Sequence, residues 1–561
     1  MNRWLLLAGA AAGVLTVVLA APAVADGPTE VRIEAVYANP IAPNDVGEYV
    51  TIAVAPQTNL GAYTLTDGES SIALPNRTVS GRVRLSTTPR AVRNQTHQPR
   101  PPVVGIDGSL SLANGGERIS ITRNGSVVES LTYGELGESE RWQNGSAVPR
   151  GMTAFQVATT SPRAVQTFVL PDGSQVVQRT LSGAEDRVLV AGYTFTSPRV
   201  AAELAAAAAR GATVRVLIEV GPVGGVSRRT ATVLSWLSKT PVQVRVLDGP
   251  LSRFRFHHPK YAVVDDRSLI SSENWKPSGL GGHGTRGWGA LVRGAETADA
   301  LAAVFSADWE WAAAQPWQAY SAGATFQPPS PATATYPSRF PPDRESVEAA
   351  RLLVAPDNAE PALLALLRRA QSSIRVVQPT IGNGTPLRGA LLRAARRGVH
   401  VRILLSGVWY NEAENRGIAA DLRRIARREG LPLKVQLASP RSRYSHLHAK
   451  GLVIDGQITV LGSINWNVVS TRENREVAVV LYGTGAAQYY RRVFRADWRG
   501  AAWRLPGTVG VVTAGGVALV IALVRRAVSF DEQPAAPRPV QPPPSSRPAR
   551  QAPPPASRER T

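Results

Sequence analysis

Two stretches of this chain repeat one pattern of reactive side chains. "HPKYAVVD" from His258 and "HAKGLVID" from His448 both read H-x-K-x-x-x-x-D. The pattern sets Lys260 and Lys450 two residues after a histidine and ends on Asp265 and Asp455. Downstream, "SSEN" and "GSIN" add Ser272 with Asn274, and Ser463 with Asn465. The chain holds only five lysines against 58 arginines, and seven histidines in all. Two lysines and two histidines in one duplicated pattern are therefore a chemical signal. A lysine is a compact charge with three donors for the non-bridging oxygens of a phosphate. Asparagine and serine are neutral donors that can stabilise charge built up in a pentacoordinate transition state. One imidazole can attack phosphorus, while the other protonates the leaving oxygen and later deprotonates water. The set points to phosphodiester chemistry in which the two histidines divide the work. No cofactor or metal is called for, since two lysines beside two histidines repel a cation.

The elements that position these residues are two hairpins. Alternate side chains of a strand share a face, so His448 and Lys450 point one way, as do Ser463 and Asn465 on the return. Asp455 has the opposite parity and falls at the turn "DG", a two-residue hairpin signal. His258, Lys260, Ser272, Asn274 and Asp265 repeat the arrangement. The two aspartates are expected to fix the turns, and His257 and His446 to be bystanders. The hairpins belong to a longer duplication. "RGATVRVLIEV" matches "RGVHVRILLSG" and "VFSADW" matches "VFRADW", with the motif histidines 190 positions apart. Strand-like and helical runs alternate within each copy, which predicts an α/β sheet covered by helices. Such a duplication predicts a pseudo-twofold pair, repeat 1 over 151–315 and repeat 2 over 346–502, with one site at the seam and a Pro-rich linker at 316–345.

H-x-K-x-x-x-x-D followed by G-S-x-N, present twice, resembles the phospholipase D superfamily across roughly residues 154–500. The resemblance implies phosphodiester hydrolysis or transfer through a covalent phosphohistidine, with His258 as the nucleophile. It also implies a downstream carboxylate on the histidine's second nitrogen. Glu476 in "NREVAVV" fits that role for the second copy, whereas "TRGWGALV" places Trp288 there in the first, leaving His258 with Glu273 or a backbone carbonyl. Members of the superfamily act on phospholipids or nucleic acids. Three readings stand: a phospholipid-directed enzyme, an extracellular nuclease, and a non-catalytic polyanion-binding surface protein.

Short strands separated by Gly, Pro, Asn and Asp occupy 27–140 and predict a β-sandwich. "VYANP", "GEYVTI", "YTLTDG" and "LANGGERISI" resemble the lamin-tail domain, an immunoglobulin-like sandwich, which implies an accessory module. The formal charge of +21 favours polyanionic partners, nucleic acid or an anionic membrane face. Cysteine is absent, which removes disulfides and thiolate metal sites together. Residues 1–25 read as a signal peptide: Arg3, an apolar run, then "AVA" before Asp26. The uncharged stretch 505–524, followed by Arg525 and Arg526, reads as a single transmembrane helix. It would leave the Pro/Arg-rich tail 525–561 cytoplasmic and the catalytic domains outside the cell. Five N-x-[ST] triplets, at Asn76, Asn94, Asn124, Asn144 and Asn383, accord with that placement.

Overall fold

A computed structural model describes residues 30–500, except 95–100, 110, 154, 248–252, 312, 330–333 and 440–442. The signal-peptide, transmembrane and tail expectations lie outside the described residues. Among the described residues, no helix is long and apolar enough to cross a membrane. The N-terminal region is a pair of β-sheets around a core that includes Val36, Ile52, Leu65, Val83 and Ile121. One sheet has six strands and the other four. The six-stranded sheet runs beyond 140, because the hairpin Glu140–Gln143/Ser146–Pro149 adds to the strand Val31–Tyr37 through Val36 and Trp142. Its turn is Asn144-Gly145, and Asn124-Gly125 turns another hairpin; all four residues have positive φ, 50° to 79°. This is the backbone that tight hairpins demand and that Asn-Gly adopts at least cost.

The rest of the chain folds as two matching halves. In the first, Arg187–Gly192, Thr213–Glu219 and Gln243–Leu247 are parallel, and the hairpin Lys260–Val264/Arg267–Ser271 joins them to Thr285–Arg293. In the second, Ser373–Gln378, His400–Leu405 and Leu433–Leu437 are parallel, and Gly451–Ile454/Ile458–Gly462 leads to Glu476–Tyr482. Outer helices such as Pro198–Ala209, capped by Ser197, pack on the far face of each sheet. The helices Ala295–Trp309 and Thr484–Arg499 place Leu301, Phe305, Tyr490 and Phe494 in one core with residues from both sheets. Strands such as Lys260–Val264, buried throughout and apolar after the lysine, are what a sheet covered on both faces requires.

The halves also exchange backbone. Thr159–Thr160 pairs with Ala349–Ala355 of the second sheet. Asp343–Glu345, the end of the Pro-rich linker, pairs with Ala164–Leu170 of the first. Two buried arginines tie the seam from matching positions. Arg475 contacts Asp308 at 2.9 Å and Asp357 at 2.8 Å. Arg286 contacts Asp172 at 2.6 Å and Asp497 at 3.3 Å. Asp308 and Asp497 are the aspartates of the two ADW repeats, and each reaches the arginine of the opposite half. Removing one partner of a fully desolvated ion pair strands the other charges. Arg475→Met is therefore expected to cost about 3–5 kcal/mol, measured as a lower denaturation midpoint.

Candidate active site

Each motif histidine rides on the other half. His258 donates its backbone N–H to the Arg475 carbonyl at 2.9 Å, and His448 donates to that of Arg286 at 3.0 Å. The segment around His446 and Leu447 runs parallel to Thr285 and Arg286. These docking bonds bring both histidines to the seam.

The side chains cross in the same way. His258 Nδ1 lies 2.8 and 2.9 Å from the two Glu476 oxygens. His448 Nδ1 lies 3.0 Å from Glu273 Oε1. Glu476 thus serves the first histidine rather than the second, and Glu273 serves His448 rather than His258. Both carboxylates are buried, at 0% and 3% exposure. Strand register also replaces Trp288 as the counterpart of Glu476: Ala355 faces Glu476 where Leu170 faces Gly287. A glycine therefore stands where the second half has its carboxylate.

The charges are unequal. Burial pushes Glu476 upward, but His258 and the hydrogen bond to it outweigh this, so the carboxyl stays below its usual range. Asn474 adds an amide donor to it at 3.1 Å. Burial raises Glu273 to about 7, against the pull of Lys450. Burial also lowers His258 to about 4, although Glu476 pulls upward, so the ring is neutral at pH 7. With Glu476 ionised, Nδ1 carries the proton and Nε2 presents a lone pair. His448 is pushed well down by burial and by Lys450 and Lys260.

Both lysines are buried in the site. Lys260 Nζ donates to the His258 carbonyl at 2.6 Å and lies 5.4 Å from the Tyr193 ring centre. The Tyr193 ring also meets His258 edge-on at 4.5 Å. Lys450 Nζ donates to the His448 carbonyl at 2.8 Å and sits 3.0 and 3.2 Å from that ring's nitrogens. Burial lowers Lys260 well below its ordinary value and Lys450 to about 8. A bound phosphodiester anion would push both back up.

The asparagines and serines divide. Asn274 Oδ1 and Asn465 Oδ1 are buried without a protein partner, so either amide orientation leaves capacity for a bound group. Ser272 and Ser463 are fully buried and tied to backbone instead. Ser272 Oγ accepts from Trp288 N at 2.9 Å, and Ser463 Oγ accepts from Val477 N at 3.0 Å. In this structure their hydroxyls pin the hairpin to the next strand. The second motif's strand begins only at Gly451, so strand alternation does not set His448 and Lys450 on one face. Lys450 is brought to the site by its docked segment, not by strand alternation.

Asp265 and Asp455 sit at the far turns with φ of 53° and 52°. Asp265 accepts from the backbone of residues 185–187, and Asp455 from that of residues 371–373. Burial pushes both carboxyls up, but these bonds win and hold them low. His257 is buried with Nε2 3.4 Å from Asp308, and His446 meets Ser445 at 3.0 Å.

Lys276 and the loop residues at the mouth escaped the sequence reading. A cavity of about 510 Å³ opens beside the first hairpin, lined by Tyr193, Val223, Asn274, Lys276 and His283 among others. Val223 follows the strand Thr213–Glu219, and Trp409 and Tyr410 follow the matching strand His400–Leu405. Carboxyl ends of parallel strands are where α/β sheets bind ligands. Val223 and Trp409 are each 83% exposed and Tyr410 is 55% exposed. Val223 N donates to Tyr193 Oη at 2.7 Å, and Tyr410 lies within the field of Glu273. Among the described residues, no three His, Asp or Glu side chains are grouped to hold a metal.

The family described as cardiolipin synthase, PLD-like domain, matches residues 177–309 and 363–498, one segment in each half. A mitochondrial cardiolipin hydrolase of Xenopus tropicalis is 30% identical over 173 residues, 30% of this chain and 74% of that protein. Among solved structures, phosphatidylserine synthase of Haemophilus influenzae Rd KW20 is 14% identical at a TM-score of 0.47. It covers 61% of this chain and 87% of its own. Nuc of Salmonella typhimurium, a phospholipase D family member, is 19% identical at a TM-score of 0.24, covering 28% of this chain and 98% of its own.

Proposed function

This chain belongs to the phospholipase D-like family, and on that premise we propose that it is a phosphodiesterase acting on phospholipid at the outer cell surface. His258 Nε2 attacks phosphorus in line, forming a P–N bond while the P–O bond to the leaving alcohol breaks. His448, whose ring the bound anion draws back into its protonated form, gives that oxygen its proton. His448 then takes a proton from water or an acceptor alcohol, whose oxygen attacks phosphorus and releases His258. Lys260 and Lys450 hold the non-bridging oxygens, with Asn274 and Asn465 as neutral donors. The Glu476 carboxylate offsets the positive ring of the phosphohistidine. No step needs a metal. Export through residues 1–25 and anchoring by 505–524 would set the site close to head groups.

Exposed apolar side chains at the carboxyl ends of the sheet strands carry the choice of lipid. Val223 follows Thr213–Glu219, and Trp409 and Tyr410 follow His400–Leu405. Side chains of that kind are what an enzyme working at a lipid interface uses. The formal charge of +21 favours the nuclease reading, so the test must offer both substrates. The full chain is incubated in EDTA with phospholipid vesicles, single- and double-stranded DNA, and RNA. Release of a lipid head group or phosphatidic acid is expected. Cleavage of nucleic acid with intact vesicles would replace this reading with the nuclease, and binding without cleavage would remove catalysis altogether.

Burying a large apolar side chain is worth about 1.5–3 kcal/mol. Trp409→Ser with Tyr410→Ser is thus expected to lower vesicle turnover at least about tenfold. Turnover of a soluble short-chain diester should move less than about twofold. An equal loss on both substrates would show that the pair supports the fold, not the interface.

A further inference from the structure

We propose that Glu273 is the positioning carboxylate of His448, moved onto the hairpin from the strand site that Gly287 leaves open. The inference rests on the phosphodiesterase reading and assigns a residue that the duplicated motif does not contain. In the second half the carboxylate is Glu476, on the strand Glu476–Tyr482, and it crosses the seam to His258. In the first half the matching strand position is Gly287. The first hairpin instead reads "SSEN" where the second reads "GSIN", so Glu273 stands opposite Ile464. Glu273 crosses the seam to His448. The two placements differ in sequence and converge on matching ring nitrogens.

The glycine and the glutamate depend on each other. A Cβ built on Gly287 would lie 2.1 Å from Glu273 Cγ and 2.8 Å from its Oε1. The Glu273 side chain therefore fills the volume that a strand side chain would occupy. Either a glutamate on the strand with an apolar hairpin residue, or a glycine on the strand with a hairpin glutamate, delivers one carboxylate to one histidine. The exchange also makes the histidines unequal. Glu476 grips His258 with both oxygens and is backed by Asn474, whereas Glu273 meets His448 with one.

The test moves the carboxylate. Four full-chain variants are compared with wild type: Glu273→Gln, Glu273→Ile, Gly287→Ala, and the double variant Glu273→Ile/Gly287→Glu. Turnover is measured on a soluble diester, with melting temperature as folding control. Loss of a carboxylate that orients a reactive histidine is expected to cost at least about tenfold and up to about ten-thousandfold. Glu273→Gln, Glu273→Ile and Gly287→Ala are expected to lose that much kcat with little change in KM. The double variant should recover at least about tenfold over Glu273→Ile. Histidine ring nitrogen NMR supplies a readout independent of catalysis: the His448 signal should shift in Glu273→Gln, while that of His258 stays. Wild-type turnover in Glu273→Gln with an unmoved His448 signal overturns the proposal, as does a folded double variant no better than Glu273→Ile. If the wild-type chain cleaves no diester, the enzymatic reading falls by itself. The His448 signal then still decides whether Glu273 holds that ring.

Discussion

His258→Asn should abolish formation of the covalent intermediate, whereas His448→Asn should form it and then stall. Both variants are expected to lose at least about three orders of magnitude in steady-state turnover, because each removes an essential partner of one two-step reaction. A diester with a good leaving group separates them, since departure of a stable phenolate needs no proton. On such a substrate His448→Asn should release about one equivalent of phenolate in a burst and accumulate phosphohistidine, visible by phosphorus NMR. His258→Asn should give no burst.

The assignment follows from the two carboxylates. An attacking imidazole must be neutral, with Nδ1–H held so that Nε2 is free. His258, lowered by burial to about 4 and gripped by both oxygens of an ionised Glu476, meets this description. His448 pairs with Glu273, a carboxyl raised by burial to about 7. A weaker anion stabilises a phosphorylated ring less but suits a ring that must pass its proton on. A burst from His258→Asn and none from His448→Asn would reverse the roles. The double variant should be no worse than the poorer single one, since groups that act as a unit are not additive.

How much of this was legible in the sequence depended on how far the partners lie along the chain. The motif, the repeat and the sandwich were readable because they are local: spacing, alternation and turn residues such as Asn144-Gly145. The pairing was not, because a pseudo-twofold seam brings together residues about 175 to 218 positions apart. Nothing within "NREVAVV" says which half's histidine Glu476 meets, and reading each half by itself gave the wrong one. The ADW aspartates carried a usable signal, a repeated acid without an apparent partner. So did Arg286 and Arg475, repeated one residue before Gly287 and Glu476. The backbone bonds of Ser272 and Ser463 were equally illegible, because a hydroxyl serves a phosphate or a backbone amide equally well.

Lys450→Arg should keep the fold and the positive charge yet cost turnover about a hundredfold or more. In a chain with 58 arginines and five lysines, a position needing only charge has no reason to keep lysine. Lys450 is 2% exposed and its Nζ lies about 3 Å from the His448 ring. A planar guanidinium is longer and forked, and at this separation it cannot replace the ammonium atom for atom. It would displace the ring or the phosphate, and a misplacement of about 1 Å can cost a hundredfold. The exposed Lys434 supplies the control: Lys434→Arg should change nothing. The pH profile adds a second arm. Burial lowers Lys450 to about 8, and its protonated form is the one that binds the anion. In the wild type, kcat/KM should therefore fall as pH rises through about 8. In Lys450→Arg the guanidinium stays charged, so that limb should flatten even as the maximum drops. Near-normal turnover in Lys450→Arg would reduce the lysine to a charge. A preserved alkaline limb would place that ionisation on another group, with Lys260, held down by the same burial, the next to replace.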